Sequence, residues 1–155
     1  MKSVSPRKTA VERAYFDTSV LVKRYVREEG SRRARELLRR YRLLSCTLTP
    51  LEALSAFSRR HVAGELSDRS FAAIVSRLHS DRDHWELIEI NAAVLSRAEA
   101  VIAMPKSRTL DALHIASALA FQELSGLSTP FVTADERQGD AARQMGLQVT
   151  WVAST

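Results

Sequence analysis

Short apolar runs alternate along the chain with longer segments in which apolar residues recur at helical spacing. The short runs predict strands at 14–16, 43–46, 85–90, 131–133 and 147–152. The longer segments predict helices at 19–27, 31–42, 50–62, 69–80, 92–104, 109–126 and 136–145. Strands that alternate with helices throughout a chain are typical of an α/β fold, in which helices cover both faces of a parallel sheet.

Residues at the helix ends support these boundaries. Gly30 is expected to end the first helix, and Asn91 is expected to cap the fifth. Thr49 and Glu52, three positions apart, have the sequence of a capping box at the start of the third helix. Pro50 would then occupy the first helical position, where its missing N–H costs nothing.

Composition narrows the class of protein. The 155 residues suit one domain with a real core, and 45% of them are hydrophobic. Lys and Arg outnumber Asp and Glu by 23 to 18, which allows a polyanionic partner such as nucleic acid. No apolar stretch approaches the ~20 residues that span a bilayer. The lone Cys46 excludes an internal disulfide and fits a reducing, cytoplasmic location.

The first residues are basic, and no apolar signal-peptide region follows them. We therefore expect residues 1–12 to form a flexible basic arm. The remainder, 13–155, contains no repeat, linker or low-complexity tract, so a single domain is expected there.

Acidic residues follow three of the predicted strands. Asp17 and Asp135 come directly after the first and fourth strands, and Glu52 comes shortly after the second. Because all strands of a parallel sheet point the same way, these carboxylates are expected at one edge of the sheet. That edge is where open α/β sheets place their ligand sites.

Asp111 is placed differently, at the start of a helix that follows another helix. Ile115 and Leu119 lie four and eight positions further on, so Asp111 shares their apolar stripe and is expected to point inward. A buried carboxylate requires a partner.

Clustered carboxylates repel one another by roughly 4 kcal/mol for a pair ~4 Å apart at an effective dielectric of about 20. A shared proton or a bound divalent cation relieves this repulsion, and all-oxygen sites favour Mg²⁺ or Mn²⁺. One cysteine and scattered histidines do not form a zinc site. A bound Mg²⁺ or Mn²⁺ would lower the pKa of a water and neutralise a phosphoryl oxygen, as phosphodiester hydrolysis requires.

Each acid also has a purely structural interpretation. Asp17 and Asp135 can be N-caps, and Glu52 can complete its capping box. Asp111 lies in the first turn of its helix, where the helix dipole stabilises a negative charge. On this alternative the protein is a non-catalytic RNA-binding or protein-interaction module. An aspartyl-phosphate phosphatase is disfavoured because Ser19 stands where that chemistry needs a second aspartate.

Four short parts of the sequence carry a family resemblance. They are Asp17–Lys23 with Glu29–Ser31, Thr49–Glu52, Thr109–Ala116 and Phe131–Arg137. Together they resemble the motifs of PIN-domain ribonucleases, most closely the VapC-like toxins of bacterial type II toxin–antitoxin pairs. The resemblance covers about residues 14–152.

This resemblance implies a three-layer α/β/α sandwich with a mostly parallel central sheet, and Mg²⁺- or Mn²⁺-dependent cleavage of RNA. It also implies a homodimer, and inhibition by a small VapB-like antitoxin protein that covers the site. The implied metal-holding acids, followed by two supporting hydroxyl residues, are Asp17, Glu52, Asp111 and Asp135, with Thr133 and Thr18.

Other candidate residues have weaker support. Arg32, Arg35 and Arg39 on the second helix are candidates for contacts with RNA phosphates, and a solvated helix face is an equally good interpretation. His114 is interpreted as a core histidine rather than a ligand. We hypothesise that the apolar side of the helix at 69–80 helps to form the dimer.

Overall fold

The computed structural model describes residues 11–152, in which strands and helices alternate as the apolar pattern predicts. The predicted arm lies almost wholly outside the described residues. In chain order the elements are β1 (Arg13–Phe16), α1 (Thr18–Tyr25), α2 (Ser31–Arg40), β2 (Arg42–Cys46), α3 (Thr49–Val62), α4 (Asp68–Asp81), β3 (Glu86–Ile88), α5 (Ala92–Ile102), α6 (Thr109–Ser125), β4 (Phe131–Thr133), α7 (Glu136–Gln144) and β5 (Val149–Trp151).

The five strands form one sheet in the order β3-β2-β1-β4-β5, and every neighbouring pair is parallel. β1 lies at the centre, where Tyr15 is in register with Leu44 of β2 and Phe131 of β4. The carboxyl ends of β2, β1 and β4 are therefore adjacent, as the acidic pattern requires. Helices α1 and α6 begin at this edge of the sheet.

Alternate residues of β1 enter different hydrophobic clusters, because successive side chains of a strand point to opposite faces. Tyr15 packs in a cluster with α5, α6 and α7, whereas Ala14 and Phe16 pack with α1 and α2. Both faces of the sheet are covered by helices, so the predicted α/β/α sandwich is confirmed.

Helices α3 and α4 form a hairpin that packs beside α1 through a third cluster. Phe57 and Leu78 are fully buried there, and Phe71 and Ile74 are partly buried against them. Part of the apolar side of α4 is thus covered within the chain. The contribution of this hairpin to a dimer stays a prediction.

Gly30 does not end the first helix, contrary to the sequence-based prediction. Helix α1 stops at Tyr25, because Val26 is already in an extended conformation. Gly30 instead begins α2: it adopts a left-handed conformation with φ of 80°, and its carbonyl accepts from the amide of Ala34. Within the described part of the chain, no helix is both long and apolar enough to cross a bilayer.

Candidate functional site

Four carboxylates from distant parts of the sequence line one cleft of about 530 Å³ at the carboxyl edge of the sheet. We call it the acidic cleft. It is open to solvent on one side and bounded by the first turns of α1, α3, α6 and α7. The acids that line it are Asp17, Glu52, Asp111 and Asp135.

Asp17 is the most enclosed of these acids, with 1% of the residue exposed. One carboxylate oxygen, Oδ1, accepts from the hydroxyl of Ser19 at 2.6 Å and from the amide of Val20 at 3.2 Å. The other, Oδ2, accepts from the hydroxyl of Thr133 at 2.6 Å. Burial raises the pKa of Asp17, and the charge of His114 and these hydrogen bonds oppose the rise.

Thr133 is therefore a hydrogen-bond donor to Asp17. This hydrogen bond connects β4 and β1 at their carboxyl ends. The predicted second hydroxyl, Thr18, lies elsewhere in the cleft, with Oγ1 3.4 Å from Nε2 of His114. Thr18 thus contacts a neighbour of the acids rather than an acid.

Asp17 and Asp135 also cap helices, as the structural interpretation predicts. Asp17 accepts from Val20 at the start of α1, and Oδ1 of Asp135 accepts from the amide of Gln138 at 3.2 Å at the start of α7. Capping uses only part of the hydrogen-bonding capacity of a carboxylate, which has about four lone-pair sites. A cap and a ligand are therefore compatible roles for the same side chain.

Glu52 does not take part in a capping box, so that interpretation is wrong. Leu48 occupies the N-cap position of α3 and makes no side-chain cap. The hydroxyl of Thr49 lies 2.6 Å from that of Ser45 on β2, which leaves Glu52 without its expected capping partner. Oε1 of Glu52 lies instead 2.7 Å from Nε2 of His114.

His114 is buried, as expected of a core histidine, but it also contacts the acidic cleft. Its Nδ1 lies 2.8 Å from the hydroxyl of Tyr15, so both ring nitrogens have partners. Burial alone would lower the pKa of His114, but hydrogen bonds and the negative charges of Cys46 and Glu52 outweigh burial and raise it. In its protonated form, the imidazolium would donate to both Glu52 and Tyr15. No pattern in the sequence indicates the contact with Glu52, because it joins two separate helices.

Arg137 lies between two of the acids, a position that the sequence-based prediction missed. Its Nε is 3.5 Å from Oδ2 of Asp111, and its Nη2 is 3.4 Å from Oδ2 of Asp135. The only feature of the sequence that indicates this position is that Arg137 follows Asp135 by two residues. The pKa of Asp111 is raised by burial and by the charge of Asp135, and Arg137 opposes the rise.

The cleft has the donor chemistry of a site for a hard divalent cation, although its side chains are not drawn together around one. Among residues 11–152, no three Asp, Glu, His or Cys side chains form a ready-made set of metal ligands. The four acids nevertheless offer carboxylate oxygens alone, which Mg²⁺ and Mn²⁺ prefer. Oδ2 of Asp111 is buried and has no hydrogen-bond partner within the described chain, and its nearest cationic atom, Nε of Arg137, lies 3.5 Å away. A carboxylate oxygen in that condition is suited to bind a cation.

The predicted RNA-contacting arginines lie away from the acidic cleft. None of them is among the residues that line it. Arg32 pairs with Glu36 one turn further along α2, at 3.4 Å. Arg35 and Arg39 line a different pocket, together with residues from the C-terminal end of α1.

The fold and the site define an α/β protein with an open parallel sheet and an acid-lined cleft at its carboxyl edge. The family model described as "PIN domain" matches residues 14–144. The chain therefore belongs to the PIN-domain family, and the resemblance seen in its motifs is confirmed.

Individual relatives agree with this assignment. The chain is 31% identical over 136 residues to Ribonuclease VapC46 of Mycobacterium tuberculosis, an alignment that spans 87% of this chain and 94% of that protein. Its fold is similar to a chain of a toxin–antitoxin complex from Klebsiella pneumoniae, with a TM-score of 0.62 and 16% identity. That match covers 92% of this chain and 99% of the other.

Proposed function

We propose that this protein is a metal-dependent endoribonuclease that acts as the toxin of a toxin–antitoxin pair. The observation that carries the proposal is the convergence of four acids, from residues 17 to 135, on one cleft. The similarity to a protein named as a VapC ribonuclease supports RNA as the substrate. The likeness of the whole fold to a chain from a toxin–antitoxin complex is consistent with the toxin role.

We assign the holding of Mg²⁺ or Mn²⁺ to Asp17, Glu52, Asp111 and Asp135. The bound ion would lower the pKa of a water and neutralise charge on a phosphoryl oxygen. Ser19 and Thr133 fix both oxygens of Asp17, so that carboxylate is set in one orientation before any ligand arrives.

The remaining polar groups of the cleft have distinct parts in this proposal. His114 orients Glu52, and the guanidinium of Arg137 offsets the negative charge of Asp111 and Asp135. Hydrolysis by an activated water would leave a 5′-phosphate and a 3′-hydroxyl. A 2′,3′-cyclic phosphate would instead indicate attack by the ribose 2′-hydroxyl and would contradict the proposal.

The partners follow from the same role. We propose a small VapB-like antitoxin that covers the acidic cleft, a homodimer as the active form, and the cytoplasm as the place of action. The single cysteine, Cys46, is free and buried, which agrees with that compartment.

A direct test compares RNA cleavage by the wild-type protein and the Asp17→Asn variant in Mg²⁺, in Mn²⁺ and in excess EDTA. The wild type should cleave in either metal and stop in EDTA, and activity should return when the metal is restored. Asp17→Asn should fold normally and cleave at least about 100-fold more slowly. Full activity of the wild type in EDTA would overturn the metal mechanism.

The second candidate function is a non-catalytic RNA-binding module. The observation in its favour is that Asp17 and Asp135 both cap helices. It predicts that RNA binds but stays intact, and that Asp17→Asn leaves RNA binding unchanged.

A further inference from the structure

Four arginines from three helices line one pocket of about 430 Å³ outside the acidic cleft. Arg24 comes from the end of α1, Arg35 and Arg39 come from α2, and Arg77 comes from α4. The pocket falls in the size range of ligand sites in proteins. We call it the arginine pocket.

The arginine pocket carries a net positive charge. Asp81 is the one carboxylate within 4 Å of its guanidinium groups among residues 11–152, at 3.5 Å from Arg24 and 3.8 Å from Arg77. Arg35 and Arg39 have no acidic partner in the same part of the chain. One negative charge against four positive charges leaves a balance of +3 at neutral pH.

This arrangement differs from that of two other arginines on α2. Arg32 and Arg33 both pair with Glu36, at 3.4 and 3.7 Å. Their charges are partly neutralised within the helix. Arg35 and Arg39 thus differ from Arg32, although the sequence predicts the same role for all three.

The floor of the arginine pocket is held in place by Tyr25. Its hydroxyl donates to Asp81 at 2.7 Å, and the guanidinium carbons of Arg24 and Arg77 lie 5.9 and 5.8 Å from the centre of its ring. Contacts of this kind between a cation and an aromatic ring are attractive. The guanidinium groups of Arg24 and Arg77 are therefore positioned before a ligand binds.

We propose that the arginine pocket binds phosphates of the RNA substrate at a distance from the bond that is cut. This inference rests on the proposed ribonuclease function. Guanidinium groups match phosphate oxygens in charge and geometry, and each phosphate contact adds salt-dependent affinity. Helix α1 connects the two sites: Thr18 lines the acidic cleft, and Arg24 lies six residues further on, about 9 Å along the helix axis.

The chemistry of the pocket favours RNA over a segment of a partner protein. A docked protein segment usually places apolar or aromatic anchors in a hydrophobic pocket. Here Leu38 and Tyr25 are the only hydrophobic side chains among the lining residues, and the other four are arginines. RNA, which carries one negative charge per nucleotide, therefore matches the arginine pocket better than a protein segment does.

The test uses the double variant Arg35→Ala with Arg39→Ala, and Arg33→Ala as the matched control. Arg35 and Arg39 can be removed without leaving a carboxylate unpaired, and alanine favours the exposed helix. Arg33 lies on the same helix and carries the same charge, but it does not line the arginine pocket. Single-turnover cleavage of a labelled single-stranded RNA is measured at increasing RNA and salt concentrations, and again with a dinucleotide, which has no phosphodiester besides the one that is cut.

We expect the double variant to need about 10-fold more RNA for half-maximal rate, with the maximal rate unchanged within about 2-fold. The slope of log affinity against log salt should become shallower by roughly 0.7 for each phosphate that the variant no longer binds. The Arg33→Ala control should behave as the wild type, and the dinucleotide should be cut equally well by all proteins.

A loss of affinity in Arg33→Ala that is half or more of the loss in the double variant, on a logarithmic scale, would overturn the inference, because it would depend only on the number of charges removed. Unchanged RNA affinity and an unchanged salt slope in the double variant would also overturn the inference. If the wild type cleaves no RNA, the proposed function itself fails, and this outcome is distinct from both.

Discussion

Oε1 of Glu52 and Nε2 of His114 lie 2.7 Å apart, although 62 positions separate them in the sequence. His114 is one turn along α6 from Asp111, so this helix supplies one acid of the cleft and orients another. Glu52 has no capping role to fix its position. The histidine is therefore the main restraint on where the Glu52 carboxylate points.

Replacement of His114 should weaken catalysis through Glu52. We expect His114→Leu to lower kcat/KM by about 10–100-fold, the usual cost of losing a group that orients a metal ligand. His114→Gln, which keeps a donor near the same point, should recover part of the loss. Mn²⁺ affinity, measured by calorimetry, should follow the same order.

A double-mutant cycle separates this role from simple loss of packing. If His114 acts through Glu52, then His114→Leu should cost little further activity in a Glu52→Gln background. Full additivity of the two losses would contradict the positioning role. Melting temperatures of the variants show whether each one is folded.

The Asp17→Asn variant should lose activity but gain stability. The buried carboxylate has a raised pKa because burial disfavours its charge, and asparagine removes that charge while keeping the shape. In EDTA at neutral pH we expect a gain of about 1 kcal/mol, or roughly 2–4 °C in Tm. A marked fall in Tm, measured by circular dichroism, would show that the charged carboxylate stabilises the metal-free fold.

The stability difference between Asp17→Asn and the wild type should grow with pH. A carboxyl group with a raised pKa in the folded state keeps its proton longer there than in the unfolded chain, so its contribution is full at low pH and is lost as pH rises through the folded value. The neutral asparagine has no such dependence. Tm of both proteins in EDTA, measured between about pH 4 and pH 8, tests this; a constant difference would argue against a raised pKa.

Arg137→Gln should destabilise the metal-free protein and increase its response to metal. The guanidinium lies near both Asp111 and Asp135, and its removal leaves their repulsion uncompensated. We expect Tm in EDTA to fall by a few degrees, about 1 kcal/mol, and the rise in Tm on adding Mn²⁺ to become larger than in the wild type.

Arg143→Gln is the control for this effect, because Arg143 lies on the same helix and pairs with the exposed Asp140. Arg143→Gln should change neither the Tm in EDTA nor the rise in Tm on adding Mn²⁺. A smaller metal response in Arg137→Gln than in the wild type would indicate that Arg137 helps to hold the ion instead of substituting for it.

The sequence predicted the fold well because the signals that define it are local. Apolar runs such as 131–133 and helical stripes such as 109–126 identify strands and helices without reference to the rest of the chain. Strand direction then places Asp17 and Asp135 at one edge, because a parallel sheet has only one carboxyl edge.

The errors have more than one origin. The capping box failed through a local competition, because the hydroxyl of Thr49 is paired with that of Ser45, four positions earlier at the end of β2. The contact between His114 and Glu52 and the place of Arg137 between two acids depend on how helices meet at the sheet edge. No spacing within a single helix encodes those contacts.

The central claim is that the four acids jointly hold a divalent cation. Anomalous diffraction from crystals of the protein grown with Mn²⁺ tests it most directly. We predict a peak within the acidic cleft, coordinated by oxygens of Asp17 and at least one of the other three acids, and the loss of that peak in Asp17→Asn. An active protein whose crystals bind Mn²⁺ only outside the cleft, or bind it equally without Asp17, would contradict the claim.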